Sequence, residues 1–402
     1  MQENKNSREM EKTIFGGIAG GSISRRQPAT WFSKLFGFQE MNLERGVDPS
    51  WVRSQVEFSE SDMKLKCPNG KEYKCGSFST PSVCDLRMKL HQVSSSGSQP
   101  TPSLLTFENI EADVRDLLHD PRNSGAVFQA ASQFNCLEMV HSYVTPEEGI
   151  EGYAADRTQG PICAVACAAG TFYRNYFMRL HFPAQGGAAA GGGGEGIEPE
   201  GQGQEQVGQS KCLQLNTIQD LELVLDNAQH GYWHVRNGYL MPVNDTSLER
   251  LVASNALAER RKACVAALRV GVQHDTQVTS DALTHTVTQV YASAVPVGYD
   301  MVTPPVSRTG VRRKELWKPL AQVVLDATYE ACLAVAALQA LATGKRVTCY
   351  LTKVGGGVFQ NDDLWIVAAI ERAIDLHRGA SVDVKVVHYG HVQQEYMRIA
   401  VN

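Results

Sequence analysis

The chain has 402 residues, of which 43% are hydrophobic and 20% are charged, and its formal net charge is −5. This composition is typical of a folded globular protein with one large domain and an appendage, or with two domains. The acidic balance argues against general nucleic-acid binding, which needs a basic surface that displaces counterions. We also expect no membrane-spanning segment and no secretory signal.

Ten cysteines are scattered through the chain, mostly in apolar segments, which predicts buried thiols in a reducing compartment such as the cytoplasm. One group combines side chains that could bind a metal: Cys67, Cys75, Cys84 and His91. It lacks CxxC spacing, and LKCPNGKEYKC predicts a hairpin with a two-residue turn at Asn69-Gly70. Alternation then sends Cys67 and Cys75 to opposite faces. We therefore expect structural thiols and no metal site.

The N-terminal part divides into three segments by composition. Residues 1–27 are polar and predict a flexible arm, and residues 28–91 predict a small α+β region. Close-set aromatics in this region either pack on the main domain or contact a protein partner: Trp31, Phe32, Phe36 and Phe38. Residues 92–103 (QVSSSGSQPTPS) predict a linker.

Residues 104–402 alternate between helix-like and strand-like stretches. In chain order they predict a helix in FENIEADVRDLLHD, a buried strand in GAVFQAAS and a helix in GPICAVACAAGTFYRNYF with Gly160 as N-cap and Pro161 as its first residue. Between them and the next elements, residues 185–210 are Gly-rich and predict a disordered insertion. A hairpin follows in HGYWHVRNGYLMPVN, turning at Asn237-Gly238, and then a long helix in SLERLVASNALAERRKACVAALRV.

The C-terminal part continues the alternation with a strand in THTVTQVYASAVP, a long helix ended by Gly344, a strand in KRVTCYLTKV, a helix and a last strand in VDVKVVHYG. Such alternation predicts an α/β fold, a three-layer α/β/α sandwich with a mixed, largely parallel sheet. The small N-terminal α+β region is then an appendage to this sandwich.

Three strand-to-helix junctions concentrate polar and glycine residues. The first follows GAVFQAAS and offers Gln129, Ser132 and Asn135, and the second is the helix start at Gly160-Pro161. The third, the glycine loop, runs from Gly355 to Asn361. Its members are Gly355, Gly356, Gly357, Val358, Phe359, Gln360 and Asn361. Because ligands of open α/β sheets bind at the carboxyl ends of the strands, we expect the three junctions to form one anion site.

These junctions resemble the motifs of the macrodomains, a family that binds ADP-ribose and related nucleotides. The stretch FQAAS from Phe128 to Ser132 is similar to the family's V-N-A-A-N strand end, and GPICAVACAAG is similar to its second glycine loop. GVFQN, from Gly357 to Asn361, is similar to its diphosphate loop G-[IV]-[FY]-G-x-P. The resemblance spans about residues 103–401 and implies a macrodomain-like fold, with the glycine loop around a diphosphate and Phe359 over the adjoining ribose.

The departures from the family pattern bear on catalysis. Gln129 and Ser132 replace asparagines, the tetraglycine stretch is missing, and Ile162 occupies the position of the catalytic aspartate of hydrolytic members. The QEE motif of the poly(ADP-ribose) glycohydrolase branch is also missing. We therefore predict binding of ADP-ribose or a related nucleotide diphosphate by a reader or scaffold, with no cofactor and no assigned catalytic residue. An ADP-ribosyl hydrolase using Asn135 and Asp156, or a non-catalytic subunit of a larger assembly, stays open.

Other titratable residues favour structural roles. Glu147 and Glu148 follow Thr145-Pro146 as in a capping box, and Asp362-Asp363 begin a helix, where the dipole favours acids. RTGVRRK, from Arg308 to Lys314, is a local basic patch in an acidic chain.

Overall fold

The structure is a computed structural model that describes residues 30–41, 46–95, 104–181, 205–279, 283–300, 302–308 and 310–399. The predicted arm at 1–27 lies outside these ranges, as do most of the linker (96–103) and most of the Gly-rich insertion (185–204). The end of that predicted insertion is ordered in part, since Glu205–Val207 is a strand.

Fourteen strands are present in the described ranges: β1 (Glu57–Ser59), β2 (Lys64–Lys66), β3 (Glu72–Lys74), β4 (Ser77–Ser79), β5 (Thr106–Glu111), β6 (Val127–Ala131), β7 (Arg179–His181), β8 (Glu205–Val207), β9 (Trp233–Arg236), β10 (Tyr239–Pro242), β11 (Gly271–Gln277), β12 (Thr286–Ala292), β13 (Val347–Leu351) and β14 (Val382–His388). Thirteen α-helices accompany them: α1 (Trp31–Phe36), α2 (Pro49–Ser54), α3 (Val83–Ser95), α4 (Val114–His119), α5 (Gln159–Ala166), α6 (Ala168–Phe172), α7 (Gln219–Val224), α8 (Asn227–His230), α9 (Ser247–Ala253), α10 (Ala256–Glu259), α11 (Arg261–Ala267), α12 (Arg313–Thr343) and α13 (Asp363–Leu376).

Seven of the strands form one sheet in the order β4-β11-β12-β6-β13-β14-β5. Strands β12, β6, β13, β14 and β5 are mutually parallel, whereas β11 pairs antiparallel with β12 and β4. The prediction of an α/β fold with a mixed, largely parallel sheet is confirmed. Helices cover both faces of the sheet. One core cluster joins β6 and β13 to α12 and α13, and another joins the opposite face of β6 to α5.

The longest helix, α12, has the length and apolarity of a membrane-spanning helix, which the sequence alone did not predict. However, 94% of its most apolar window is buried inside the protein. Burial against the sheet and α13 therefore accounts for its apolar composition. The helix ends at Gly344, whose φ of 64° is left-handed, as the sequence predicts.

Strand β5 corrects the prediction of one helix across FENIEADVRDLLHD. Residues Thr106–Glu111 are a strand, and the helix α4 begins only at Val114, after the N-cap Asp113. Six residues of β5 pair in parallel with β14, so long-range pairing outweighs the local helical pattern. The predicted long helix from Ser247 onward is also broken, because Asn255 has a left-handed φ of 55° between α9 and α10.

The hairpin around Cys67 also differs from its prediction by one residue. Lys66 pairs with Glu72 and Lys64 with Lys74, and the Cys67 amide donates to the Lys71 carbonyl (2.9 Å), which leaves a three-residue loop with Gly70 at a φ of 79°. This register places Cys67 and Cys75 on the same buried face as Tyr73, where opposite faces were predicted. All ten cysteines have free thiols.

The N-terminal region is joined to the main sheet and to its helices. Strand β4 pairs antiparallel with β11, so a strand from before the predicted linker lies in the same sheet as the rest. Phe32 and Phe36 are fully buried and pack against Phe172 of α6. Their position matches the packing alternative for these aromatics.

Hydrogen bonds to Glu40 connect this N-terminal region to later parts of the chain. Its buried carboxylate accepts hydrogen bonds from the Ile150 and Glu151 amides (2.8 and 2.6 Å) and from the Tyr176 hydroxyl (2.5 Å). Burial raises the pKa of Glu40 to about 7 despite these bonds. The Glu40 contacts tie the segment after α1 to the loop before α5.

Candidate functional site

The two central strands β6 and β13 separate at their carboxyl ends. They pair at only two positions, Val127 with Cys349 and Phe128 with Tyr350, whereas β6 stays paired with β12 as far as Ala131. The chain leaves β6 for α5 on one face of the sheet and leaves β13 for α13 on the other. Open α/β sheets bind ligands at such switch points, in the crevice outside the carboxyl ends of the strands.

Two glutamine side chains hydrogen-bond to main-chain groups where the strands separate, one from β6 to the residue after β13 and one from α5 to β6. Oε1 of Gln129 accepts a hydrogen bond from the Thr352 amide (2.9 Å), in place of a strand-to-strand bond. Oε1 of Gln159 accepts from the Ala131 amide (2.8 Å), and its Nε2 donates to the Gln129 carbonyl (2.7 Å). These bonds satisfy main-chain groups that the divergence would leave unpaired.

The glycine loop follows β13 and closes on itself. The Asn361 amide donates to the Gly355 carbonyl (2.9 Å), and Asn361 Nδ2 donates to the Val295 carbonyl (2.9 Å). Gly355 has a φ of +76°, and a Cβ there would lie 2.5 Å from the Cβ of Ala294. Gly355 and Asn361 therefore have structural roles in shaping the loop.

The tip of the glycine loop has main-chain donors without protein acceptors. Within the described part of the chain, the amides of Gly357, Val358 and Phe359 make no hydrogen bond to the protein. Gly357 and Val358 are exposed, and a Cβ on Gly357 would meet nothing within 4 Å. Gln360, next in the chain, has a left-handed φ of 57°. Successive free amides in such a turn form a concavity suited to an anion.

Aromatic rings pack beside the loop tip. The Phe359 ring centroid lies 5.7 Å from that of Tyr239 and 5.5 Å from that of Tyr299, and the Gly298 amide donates to the Phe359 carbonyl (3.0 Å). Burial raises the pKa of Tyr299, and the nearby Asp156 carboxylate adds to that rise. The half-buried Asp156 therefore lies close to the aromatic group next to the glycine loop.

The hairpin β9–β10 covers the end of β6. It turns at Asn237-Gly238 with Arg236 paired to Tyr239, as predicted. A Cβ on Gly238 would lie 2.6 Å from Gln133 and 2.7 Å from Asn135, so the turn rests directly on that segment. The hairpin therefore closes over the first predicted junction.

The residues of this first junction are consequently buried. Asn135 is fully buried, donating to Gln214 (2.9 Å) and accepting from the Leu137 amide (3.1 Å). Ser132 is 6% exposed and its hydroxyl donates to the Gln133 carbonyl. Gln129 is 1% exposed and bridges strands as described. All three residues are therefore buried structural residues whose side chains hydrogen-bond within the protein.

The second junction differs from its prediction in detail. Helix α5 begins at Gln159 with Thr158 as N-cap, so Gly160 is inside the first turn and is not the N-cap. A Cβ on Gly160 would lie 2.0 Å from the Ala131 carbonyl oxygen, so glycine is needed for the helix to approach the strand end. Pro161 is buried in the same turn.

The buried Glu138 is a group that the sequence reading missed. Its two carboxylate oxygens have no hydrogen-bond partner among the described residues, and the nearest cation is the buried Arg174, whose Nη2 lies 3.6 Å away. Arg174 also donates to the Cys136 carbonyl and the Tyr291 hydroxyl. Burial raises the pKa of Glu138 to about 8, although Arg174 opposes the rise. In the sequence, Glu138 is a single acidic residue in the stretch NCLEMV, and nothing local indicates its burial beside Arg174.

Other candidate acids have ordinary surroundings. Asp362 accepts from the Leu364 amide as N-cap of α13, and its hydrogen bond to Lys314 keeps its pKa below the usual range. Glu147 accepts from the Lys211 amide (2.8 Å). Across the described ranges, no group of three or more metal-ligating side chains could hold a metal ion.

Comparisons with known proteins give one structural neighbour. No family model and no curated protein matches the chain. One solved structure, poly(ADP-ribose) glycohydrolase from Thermomonospora curvata, aligns over 87% of this chain and 96% of its own. The two chains are 10% identical, with a TM-score of 0.35. A structural likeness this low supports no inference about the function of this chain.

The glycines of the loop are expected to differ in their effect on folding. Gly355→Ala should lower the free energy of unfolding by about 2–4 kcal/mol, because it adds a left-handed alanine and a close contact with Ala294. Gly357→Ala should change it by less than about 0.5 kcal/mol, because its Cβ enters open space. Urea unfolding followed by circular dichroism measures both, and equal losses would contradict these roles.

Glu138 is expected to make stability depend on pH. Because its pKa is raised on folding, its stabilising protonation is complete below the unfolded pKa near 4.5 and is lost as the pH rises to about 8. Glu138→Gln should therefore gain stability relative to the wild type between pH 5 and 8, by more than about 1.4 kcal/mol. The exposed Glu72→Gln is the control. The alternative result is a difference in free energy of unfolding between Glu138→Gln and the wild type that stays constant with pH, as for the control. That result would contradict a buried, protonated Glu138.

Proposed function

We propose that the chain binds ADP-ribose or a related nucleotide diphosphate in the crevice between β6 and β13, as a macrodomain-like reader or scaffold. The observation that supports this most is the run of three unpaired amides at Gly357, Val358 and Phe359 beside a switch point of the sheet. A diphosphate supplies several acceptor oxygens to such donors, and its charge needs no side-chain cation when main-chain dipoles converge.

Two features near the loop suit the remainder of a nucleotide. Phe359 is half-buried against Tyr239 and Tyr299, so it presents a fixed apolar surface for a ribose. Tyr389 directly follows the carboxyl end of β14, the strand next to β13, and is 87% exposed. A free aromatic face at a ligand cleft is suited to stacking on a base.

Binding without turnover is favoured over hydrolysis. The hydrolytic alternative needs Asn135 to orient a ribose, and that side chain is fully buried and hydrogen-bonded to Gln214 and Leu137. Asp156 keeps the alternative open, because its carboxylate adds to the rise that burial causes in the pKa values of Tyr239 and Tyr299. Its Oδ1 accepts from the Thr158 amide (2.7 Å), which leaves the second oxygen for a water.

The binding proposal is tested by calorimetry with ADP-ribose. The wild type should bind, and Gly357→Ala should weaken binding at least tenfold, about 1.4 kcal/mol, because its methyl group occupies the approach to the amides. Gly379→Ala is a matched control, since its Cβ also meets nothing within 4 Å and it lies away from the loop. No heat from the wild type at millimolar ADP-ribose would remove the proposal and leave the structural-subunit alternative.

Turnover is tested separately with a mono-ADP-ribosylated protein as substrate. We expect no release of ADP-ribose by the wild type or by Asp156→Ala. Release by the wild type that is lost in Asp156→Ala and kept in Asp375→Ala, an exposed control, would establish the hydrolase instead.

A further inference from the structure

A basic surface borders the glycine loop on the side of α12. We define this basic rim by its exposed residues: Val302, Val306, Arg308, Val311, Arg312, Lys314 and Lys318. It adjoins the glycine loop through Lys314, whose Nζ lies 2.8 Å from Oδ2 of Asp362, the residue directly after the loop. The proposed diphosphate site does not use these side chains.

The charge of this segment runs against that of the chain. From Arg308 to Lys318 there are five basic residues and one acidic residue, in a protein with a net charge of −5. Asp362 compensates Lys314, and Asp245 lies 3.9 Å from Arg308. Arg312 and Lys318 form no ion pair within 4 Å among the described residues.

The position of the cations is unfavourable for the helix itself. Helix α12 begins at Arg313-Lys314, directly after Arg312, and its last turn has no basic residue. The N-terminus is the positive end of the helix dipole, where acidic side chains stabilise and basic ones do not. Arg313 and Lys314 have partners in Asp300 and Asp362. However, Arg312 and Lys318 at this unfavourable end form no ion pair among the described residues, which indicates a use in binding.

The segment before α12 holds the rim in a defined shape. Val306 and Arg312 form an antiparallel bridge, and the Ser307 amide donates to the Val311 carbonyl (2.7 Å). Arg313 donates to the Asp300 carbonyl, and Trp317 Nε1 donates to Asp300 Oδ2 (2.8 Å). The exposed Val306, Val311 and Arg312 are therefore held in place by main-chain pairing.

We propose that the basic rim docks an acidic, apolar segment of a protein partner beside the nucleotide crevice. Acidic side chains complement the cations, and the exposed Val302, Val306 and Val311 complement apolar side chains between them. Single-stranded nucleic acid is a poorer match, because it binds through exposed aromatic rings. Trp317, the one aromatic residue of the 302–318 sequence, is fully buried.

Fluorescence anisotropy on the full chain tests the rim with three labelled twelve-residue probes. These are a peptide of alternating Glu and Val, the same peptide with Gln in place of Glu, and a thymidine oligonucleotide. We expect binding of the acidic peptide, at least tenfold weaker binding of the other two, and weakening by added salt. The double variant Arg312→Glu/Lys318→Glu should lose at least tenfold affinity for the acidic peptide.

Lys262→Glu/Lys345→Glu is the matched control, because it makes the same change of charge at exposed lysines elsewhere. It should keep the affinity of the wild type within about twofold. No binding of the acidic peptide, equal losses in the two double variants, or preference for the oligonucleotide would each overturn the proposal. Calorimetry with ADP-ribose on Arg312→Glu/Lys318→Glu separates the two sites, since nucleotide binding retained with peptide binding lost assigns the rim to the partner.

Discussion

The candidate site depends on the early separation of β6 from β13. Two parallel strands at the centre of a sheet normally pair along their whole length, yet these pair at only two positions. Beyond them, hydrogen bonds from Gln129 and Gln159 replace the ladder. Because these side chains pair with the Thr352 and Ala131 amides and with the Gln129 carbonyl, the separation does not leave those main-chain groups unpaired.

The two sides of the crevice therefore have different roles. On the β6 side, the hairpin β9–β10 covers the strand end and buries Ser132 and Asn135, so that side supplies support. On the β13 side, Gly355 and Asn361 close the loop and leave the amides of its tip exposed. The ligand contacts that we propose are therefore main-chain contacts, to which most side-chain substitutions are indifferent.

The sequence predicts the elements better than it predicts their contacts. Some elements follow from local patterns that tertiary packing does not oppose. These are the strand Val127–Ala131, the hairpin turn at Asn237-Gly238 and the left-handed helix end at Gly344. Strand β5 was mistaken for helix because its pairing with β14 is distant in sequence.

At the site, the local sequence pattern identifies the glycine loop, but it does not show that the residues opposite the loop are buried. Asn135 reads as a polar residue after a strand, and only the docking of a hairpin a hundred residues later buries it. Glu138 is likewise ordinary in the sequence, and its raised pKa arises from burial, which outweighs the opposing effect of Arg174. Long-range burial is the information that a local reading lacks.

We propose that main-chain amides at the tip of the glycine loop receive a diphosphate. A crystal structure of the chain grown with millimolar ADP-ribose is the decisive test. We expect phosphate oxygens within about 3 Å of the amide nitrogens of Gly357, Val358 and Phe359. ADP-ribose bound elsewhere, or a glycine loop without ligand in such crystals, would contradict it.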